Sequence, residues 1–141
     1  MSRRPISPRR FTRIARQALE SVPAPLRGRV SNVEIVLEDW ASREALAQQG
    51  LSSPYDLLGL YQGIPLTERD SRYNLVAPDQ ITLYRGALEA MCESAEELER
   101  EIRATVLHEL AHHFGLSDDE LAALSGGTEG EGGDSPRAQG P

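Results

Sequence analysis

His108, Glu109, Leu110, Ala111 and His112 form an HExxH run, with Gly115 and Asp118 close behind it. On a helix, residues four apart project from one face, so His108 and His112 can reach a single metal ion while Glu109 stands beside its water. A catalytic zinc site takes three nitrogen, sulfur or carboxylate ligands and leaves the fourth position to water, which is then acidic near neutral pH. Glu109 is placed to accept a proton from that water and return it to a departing amine. The chain's three histidines, His108, His112 and His113, all fall inside this segment. Residues of these types at this spacing point to metal-assisted hydrolysis with one bound zinc ion.

Two histidines leave a third ligand to be found. Gly115 can adopt the left-handed conformation that ends a helix and turns the chain, which brings Asp118 back toward the metal. A competing pattern shares the same residues: Ser117 and Glu120 have the spacing of a capping box for a following helix, with Asp118 and Asp119 favouring its N-terminal end. The two patterns are compatible, and Asp119 and Glu120 stand as alternative carboxylate ligands. His113 falls within the apolar stripe of the helix and is expected to be a core histidine held by a hydrogen bond. Cys92, the chain's one cysteine, is expected to be a small packing residue.

The ligands need a helix to carry them, and the sequence predicts one over residues 95–114. Ser94 and Glu97 make a capping box at its start, good helix formers run unbroken to Phe114, and Gly115 ends it. Leu98, Ile102, Val106, Leu110 and Phe114 share one side of this helix, and His108, Glu109 and His112 border that stripe. The metal would therefore sit in a cleft beside the core.

Other elements follow from the same periodicities. An amphipathic helix is predicted over 11–21 from Phe11, Ala15, Ala18, Leu19 and Val22, with Pro23 and Pro25 ending it. Val33, Ile35 and Leu37 alternate with Asn32, Glu34 and Val36 in a strand that stops at Glu38-Asp39. A short helix over 42–49 closes at Gly50, and a short strand is predicted over 58–61. A further strand over 80–84 sets Ile81 and Leu83 on one face and Thr82 and Tyr84 on the other.

At 141 residues the chain has room for about one domain. A single cysteine excludes an internal disulfide framework and points to a reducing compartment. With neither a secretory apolar run nor a membrane-length stretch, a soluble cytoplasmic protein without membrane partners is expected. Residues 1–30 carry eight arginines against Glu20, a balance of +7; the whole chain is at −7, so the rest carries −14. The arginines read as a solvated basic arm over 1–10, broken by Pro5 and Pro8. No aromatic residues are interleaved for base stacking, so no nucleic-acid partner is expected. Residues 125–141, rich in glycine and acid, have no apolar pattern to pack and read as a disordered tail.

The chain resembles the minimal zincin family of small bacterial zinc metallopeptidases, whose signature is HExxHxxGxxD. The resemblance rests on Val36-Leu37-Glu38-Asp39, on the run from Leu57 to Gly63, on Pro65 to Arg69, on Pro78 to Arg85, and on His108 through Leu121. It extends over residues 11–124, which it implies are one zincin-like metallopeptidase domain. The fold it implies is α+β, with a small mixed sheet packed against helices that include the HExxH helix. It also maps zinc ligands onto His108, His112 and Asp118 and the catalytic glutamate onto Glu109. Both methionines, Met1 and Met91, precede the motif, so the methionine turn of the larger metzincins has no counterpart.

Two functions are compatible with these residues. One is a zinc-dependent peptidase acting on a peptide or protein substrate, bound in extended form along the strand of Ile81 to Tyr84. The other is a non-catalytic metal-binding or regulatory module on the same scaffold. Glu109 favours the first, because a structural zinc would not need it. Tyr84, ending its strand on the face opposite Ile81 and Leu83, is the candidate side-chain donor to the charge developing in the transition state.

Overall fold

Ser7 and Pro8 start the first helix three residues earlier than the apolar repeat predicts. The computed structural model describes residues 6–30, 32–63, 78–117 and 119–120. Helix α1 spans Pro8–Glu20; the Ser7 hydroxyl accepts from the Arg10 amide at 3.2 Å, and Pro8 occupies a first-turn position whose N–H would have no helical partner. Ile6 is buried, and the Arg10 guanidinium pairs with Glu99 at 3.1 Å. Residues 6–10 of the expected basic arm therefore belong to the folded unit. Pro25 does not merely stop α1 but lies in the first turn of a second helix, α2 (Ala24–Val30), which the sequence reading did not include.

Among the described residues three strands follow the predicted order: β1 (Val33–Glu38), β2 (Gly59–Gln62) and β3 (Asp79–Tyr84). The sheet order is β1-β3-β2, with β1 parallel and β2 antiparallel to β3. The protein is thus α+β, a small mixed sheet packed with helices. β3 lies in the centre and is paired on both sides, so it has no free edge for an extended substrate. That expectation is corrected: among the described strands, β2 is the one that runs along the zinc-motif helix with its outer side unpaired. Periodicity reports which face of a strand is buried, not which strand lies at the edge.

Between the strands lie helix α3 (Arg43–Gln48), capped by the Ser42 hydroxyl, and a 3-10 turn at Pro54–Asp56; α4 (Arg85–Ala90) follows β3 directly. The last described helix, α5 (Ala95–His113), carries the HExxH run. Its start is the predicted cap, with the Ser94 hydroxyl accepting from the Glu97 amide at 3.0 Å, although Glu97 reaches back to the Glu93 amide, at 2.8 Å.

Two apolar clusters lie on opposite faces of the sheet. Ile81 and Leu83 pack with Phe11, Ile14 and Leu19 of α1 and with Leu98, Ile102, Val106 and Leu110 of α5. Cys92 is buried in the same cluster, as expected of a packing residue. Tyr84 packs on the other side with Ala41, Leu46, Leu57 and Ala87. Tyr84 lies opposite Ile81 and Leu83, in the cluster on the other face of the sheet from the one that α5 packs into. Burial together with the Glu38 carboxylate raises the pKa of its hydroxyl. Among the described residues no helix is long and apolar enough to cross a membrane. Asp118 and the expected tail over 125–141 lie outside the described residues.

Candidate metal and catalytic site

Three residues of α5 spaced four apart follow β2. Thr105 meets Gly59, the Glu109 carboxylate accepts from the Tyr61 amide at 3.3 Å, and the His113 ring stacks on Tyr61 with centroids 3.9 Å apart and planes 15° apart. The register has a simple origin. Four helical residues advance about 6 Å and two strand residues about 6.6 Å, so every second β2 residue finds the next turn of α5. The fit requires glycine at position 59, because a Cβ there would stand 2.8 Å from the Thr105 methyl carbon.

The Tyr61 amide is available to Glu109 because of the strand register. Tyr84 donates its amide to the Leu58 carbonyl at 2.9 Å, which turns the backbone of Leu58, and by alternation that of Leu60, toward β3. Gly59 and Tyr61 therefore direct their amides and carbonyls to the outer side. Glu109 reaches the strand there, forming a hydrogen bond across 48 residues of sequence. The Tyr61 hydroxyl is committed elsewhere, donating to Asp79 Oδ2 at 2.8 Å; burial, that bond and the Asp79 charge all raise its pKa.

Burial raises the Glu109 carboxyl above its ordinary pKa. The neighbouring His108, the Tyr61 amide and His112 act in the opposite sense without cancelling it. A half-buried carboxyl with an elevated pKa beside two imidazoles suits a group that alternately takes and gives a proton.

His108 and His112 flank this ridge on its exposed side, with ring centroids 6.4 Å apart and planes 29° apart. Two imidazoles one helical turn apart are donors of the type that zinc takes at about 2.0–2.1 Å, so this donor pair fits zinc. Among the described residues no third His, Cys, Asp or Glu is gathered with them. Asp118, the third ligand expected from the sequence, is outside those residues.

The chain beyond α5 turns as expected. Gly115, with φ of +73°, forms a Schellman turn in which Leu116 donates to the Ala111 carbonyl at 2.7 Å and Gly115 to that of His112 at 3.1 Å. Ser117 and Glu120 then make a reciprocal capping box: the Glu120 amide donates to the Ser117 hydroxyl at 3.0 Å and the Ser117 amide to Glu120 Oε1 at 2.8 Å. Glu120 is thereby engaged as a cap, which weakens its claim as a ligand. Asp119 is exposed.

His113 differs from its predicted environment. It is exposed rather than buried, lying against Tyr61 on one side and edge-on to Phe114 at 5.2 Å. The core takes Leu110, Ala111, Phe114 and Leu116 from this end of the helix, which leaves His113 at the border of the stripe, against Tyr61. The sequence reading missed Tyr61, whose part in the site comes mainly from its backbone. Its one available signal was its place between Gly59 and Gly63 in an outward-alternating strand.

Residues 30–128, more than two thirds of the chain, match the family model described as zincin-like metallopeptidase. The match includes the whole HExxH segment, all three strands and the first residues of the expected tail. No curated protein matches the chain.

Proposed function

Because the chain belongs to the zincin-like metallopeptidase family, we propose that it hydrolyses peptide bonds beside β2, with one zinc ion held by His108, His112 and Asp118 and with Glu109 as general base. The observation that carries this reading is the hydrogen bond from the Tyr61 amide to Glu109 Oε1. A glutamate that merely favoured the helix would extend into solvent; this one is half-buried and tethered beside both histidines.

Bound zinc supplies a water acidic near neutral pH and polarises the scissile carbonyl. Glu109 then takes the proton from the attacking water, a step that its raised pKa favours, and delivers it to the departing amine. The Tyr61 amide holds one carboxylate oxygen, leaving the other to work. The Gly59 and Tyr61 carbonyls face the outer side of β2, where an extended peptide can align by backbone hydrogen bonds. His113 and Tyr61 close the far end of this platform as a rigid stack.

Metal content per chain and cleavage of an unfolded fluorogenic protein test the proposal. Wild type should carry one zinc, cleave the reporter, lose cleavage to a chelator and regain it with added zinc. Glu109→Gln should keep the zinc and lose cleavage by about 10²–10⁴-fold, the usual contribution of a general base. Stoichiometric zinc with no difference in cleavage between wild type and Glu109→Gln would overturn the peptidase reading and leave a metal-binding module.

A further inference from the structure

At the opposite end of the sheet, Trp40 remains 40% exposed and Tyr55 61% exposed, although both belong to a well-packed region of the fold. Their rings meet edge-on, with centroids 4.9 Å apart and planes at 71°. Trp40 is seated firmly: a Cβ on Gly86 would collide with its Cε2 and Cζ2, so only glycine permits the indole to lie there, and the Gly86 amide donates to the Asp39 carbonyl at 2.8 Å. Together with Asp39, Arg85 and Glu89 these residues line an open cleft of about 380 Å³. Fixing a large aromatic ring at the surface yields little core stability and produces a prepared recognition surface.

Charge indicates what the cleft would hold. Asp39 and Glu89 both approach Arg85, through contacts of 3.5 and 3.9 Å, long beside the roughly 2.7–2.9 Å of a tight charge-assisted bond. The Asp39 side chain is 77% exposed. A second guanidinium can therefore approach Asp39 while lying against an aromatic face, where the ring quadrupole attracts a cation. The net charge of −7 on the whole chain also favours the approach of a basic ligand.

We propose that the Trp40–Tyr55 cleft binds an arginine side chain of a basic peptide or protein segment. The site is separate from Glu109. Tyr61, which holds Glu109, pairs with Ile81, whereas the cleft begins beyond Tyr84, roughly 10 Å farther along β3. The proposal does not depend on peptidase activity.

Trp40 is the chain's one tryptophan, so its fluorescence reports on this cleft alone. Metal-loaded full-length protein would be titrated with an arginine tetrapeptide and with glutamine and glutamate tetrapeptides, alongside calorimetry. A saturable change in Trp40 emission with the arginine peptide only, weakening as salt rises, is expected. Tyr55→Ala should weaken binding by about two- to fivefold, the range of an exposed cation–π contact. Asp39→Asn should weaken it as well, Arg85→Gln should tighten it, and Glu109→Gln should leave it unchanged. Both weakening variants alter exposed side chains, and circular dichroism would verify their fold. Absence of arginine-peptide binding, equal binding of the glutamine peptide, or wild-type affinity in both Tyr55→Ala and Asp39→Asn would overturn the proposal.

Discussion

The Thr105 methyl group fills the space that a side chain on Gly59 would occupy, with 2.8 Å between the methyl carbon and the position of a Cβ. One turn later on the same helix, Glu109 receives the Tyr61 amide. The close approach at Gly59 thus sets how near α5 comes to β2, and with it the position of the Glu109 carboxylate. Gly59→Ala should cost about 1–3 kcal/mol, as overpacking does, and lower turnover while leaving zinc content intact, because both histidines move with α5. Adding Thr105→Ser removes the offending methyl and should restore part of both losses. The restoration stays partial because Leu83 Cδ2 at 3.2 Å and the Thr82 carbonyl at 3.3 Å still crowd the new Cβ. Thermal unfolding and kcat of the two single variants and the double variant check this; strictly additive effects would dissociate Gly59 from Thr105.

Metal binding should depend on both histidines and on the carboxylate after the Schellman turn. His108→Ala and His112→Ala should each lose stoichiometric zinc after dialysis against a chelator, because too few ligands remain. Asp118→Ala should weaken zinc retention. Glu120→Ala should not, since Glu120 is bonded to the Ser117 amide, although it removes half of a capping box worth about 1 kcal/mol. Zinc content by atomic emission separates the four variants, and retention of zinc by both histidine variants would dismiss this site.

What could be read in the sequence was what repeats locally. The Ser94–Glu97 cap, the Leu98-to-Leu110 stripe and the left-handed Gly115 are set by neighbours within a few residues, and each stands close to where the pattern put it. The HExxH spacing likewise set His108 and His112 on one exposed face. The partner of Glu109 was not legible, because the contact spans 48 residues and uses a backbone N–H, which every residue but proline possesses. The setting of Tyr84 was only half legible for a related reason. Alternation correctly set it opposite Ile81, yet which face carries the zinc-motif helix is decided by how α1 and α5 pack together over Ile81 and Leu83. Pro8 looked like a break because proline interrupts helices in their interior, whereas here it opens one.

The two tyrosines should now separate cleanly. Tyr84→Phe should leave turnover unchanged, whereas loss of a donor to the transition state costs about 10²–10³-fold. Tyr61→Phe removes the hydrogen bond to Asp79 and should lower stability by about 0.5–1.5 kcal/mol, keeping the amide that holds Glu109 and the ring that stacks on His113. Zinc content should survive both changes. Chemical denaturation and kcat measured on fully metallated protein check the pair, and a large loss of turnover in Tyr84→Phe would return that residue to the site.

Glu109 carries a stability cost whose sign follows from its raised pKa. The folded protein binds this proton more tightly than the unfolded chain does, in which a glutamate titrates near about 4.3. Stability is therefore lost as pH rises from that value through the elevated folded one, and above both the half-buried carboxylate remains a constant penalty. Glu109→Gln keeps an oxygen to accept from the Tyr61 amide and removes the charge. Metal-free Glu109→Gln should accordingly melt at a higher temperature than metal-free wild type at neutral pH, with the difference shrinking to nothing as pH falls to about 4. Inactivity and greater stability in one variant would mark Glu109 as a group held against the preference of the fold for the sake of chemistry. Thermal melts of both proteins across pH 4–8 after chelation measure this directly, and a variant less stable than wild type at neutral pH would show that the ionised carboxylate supports the fold.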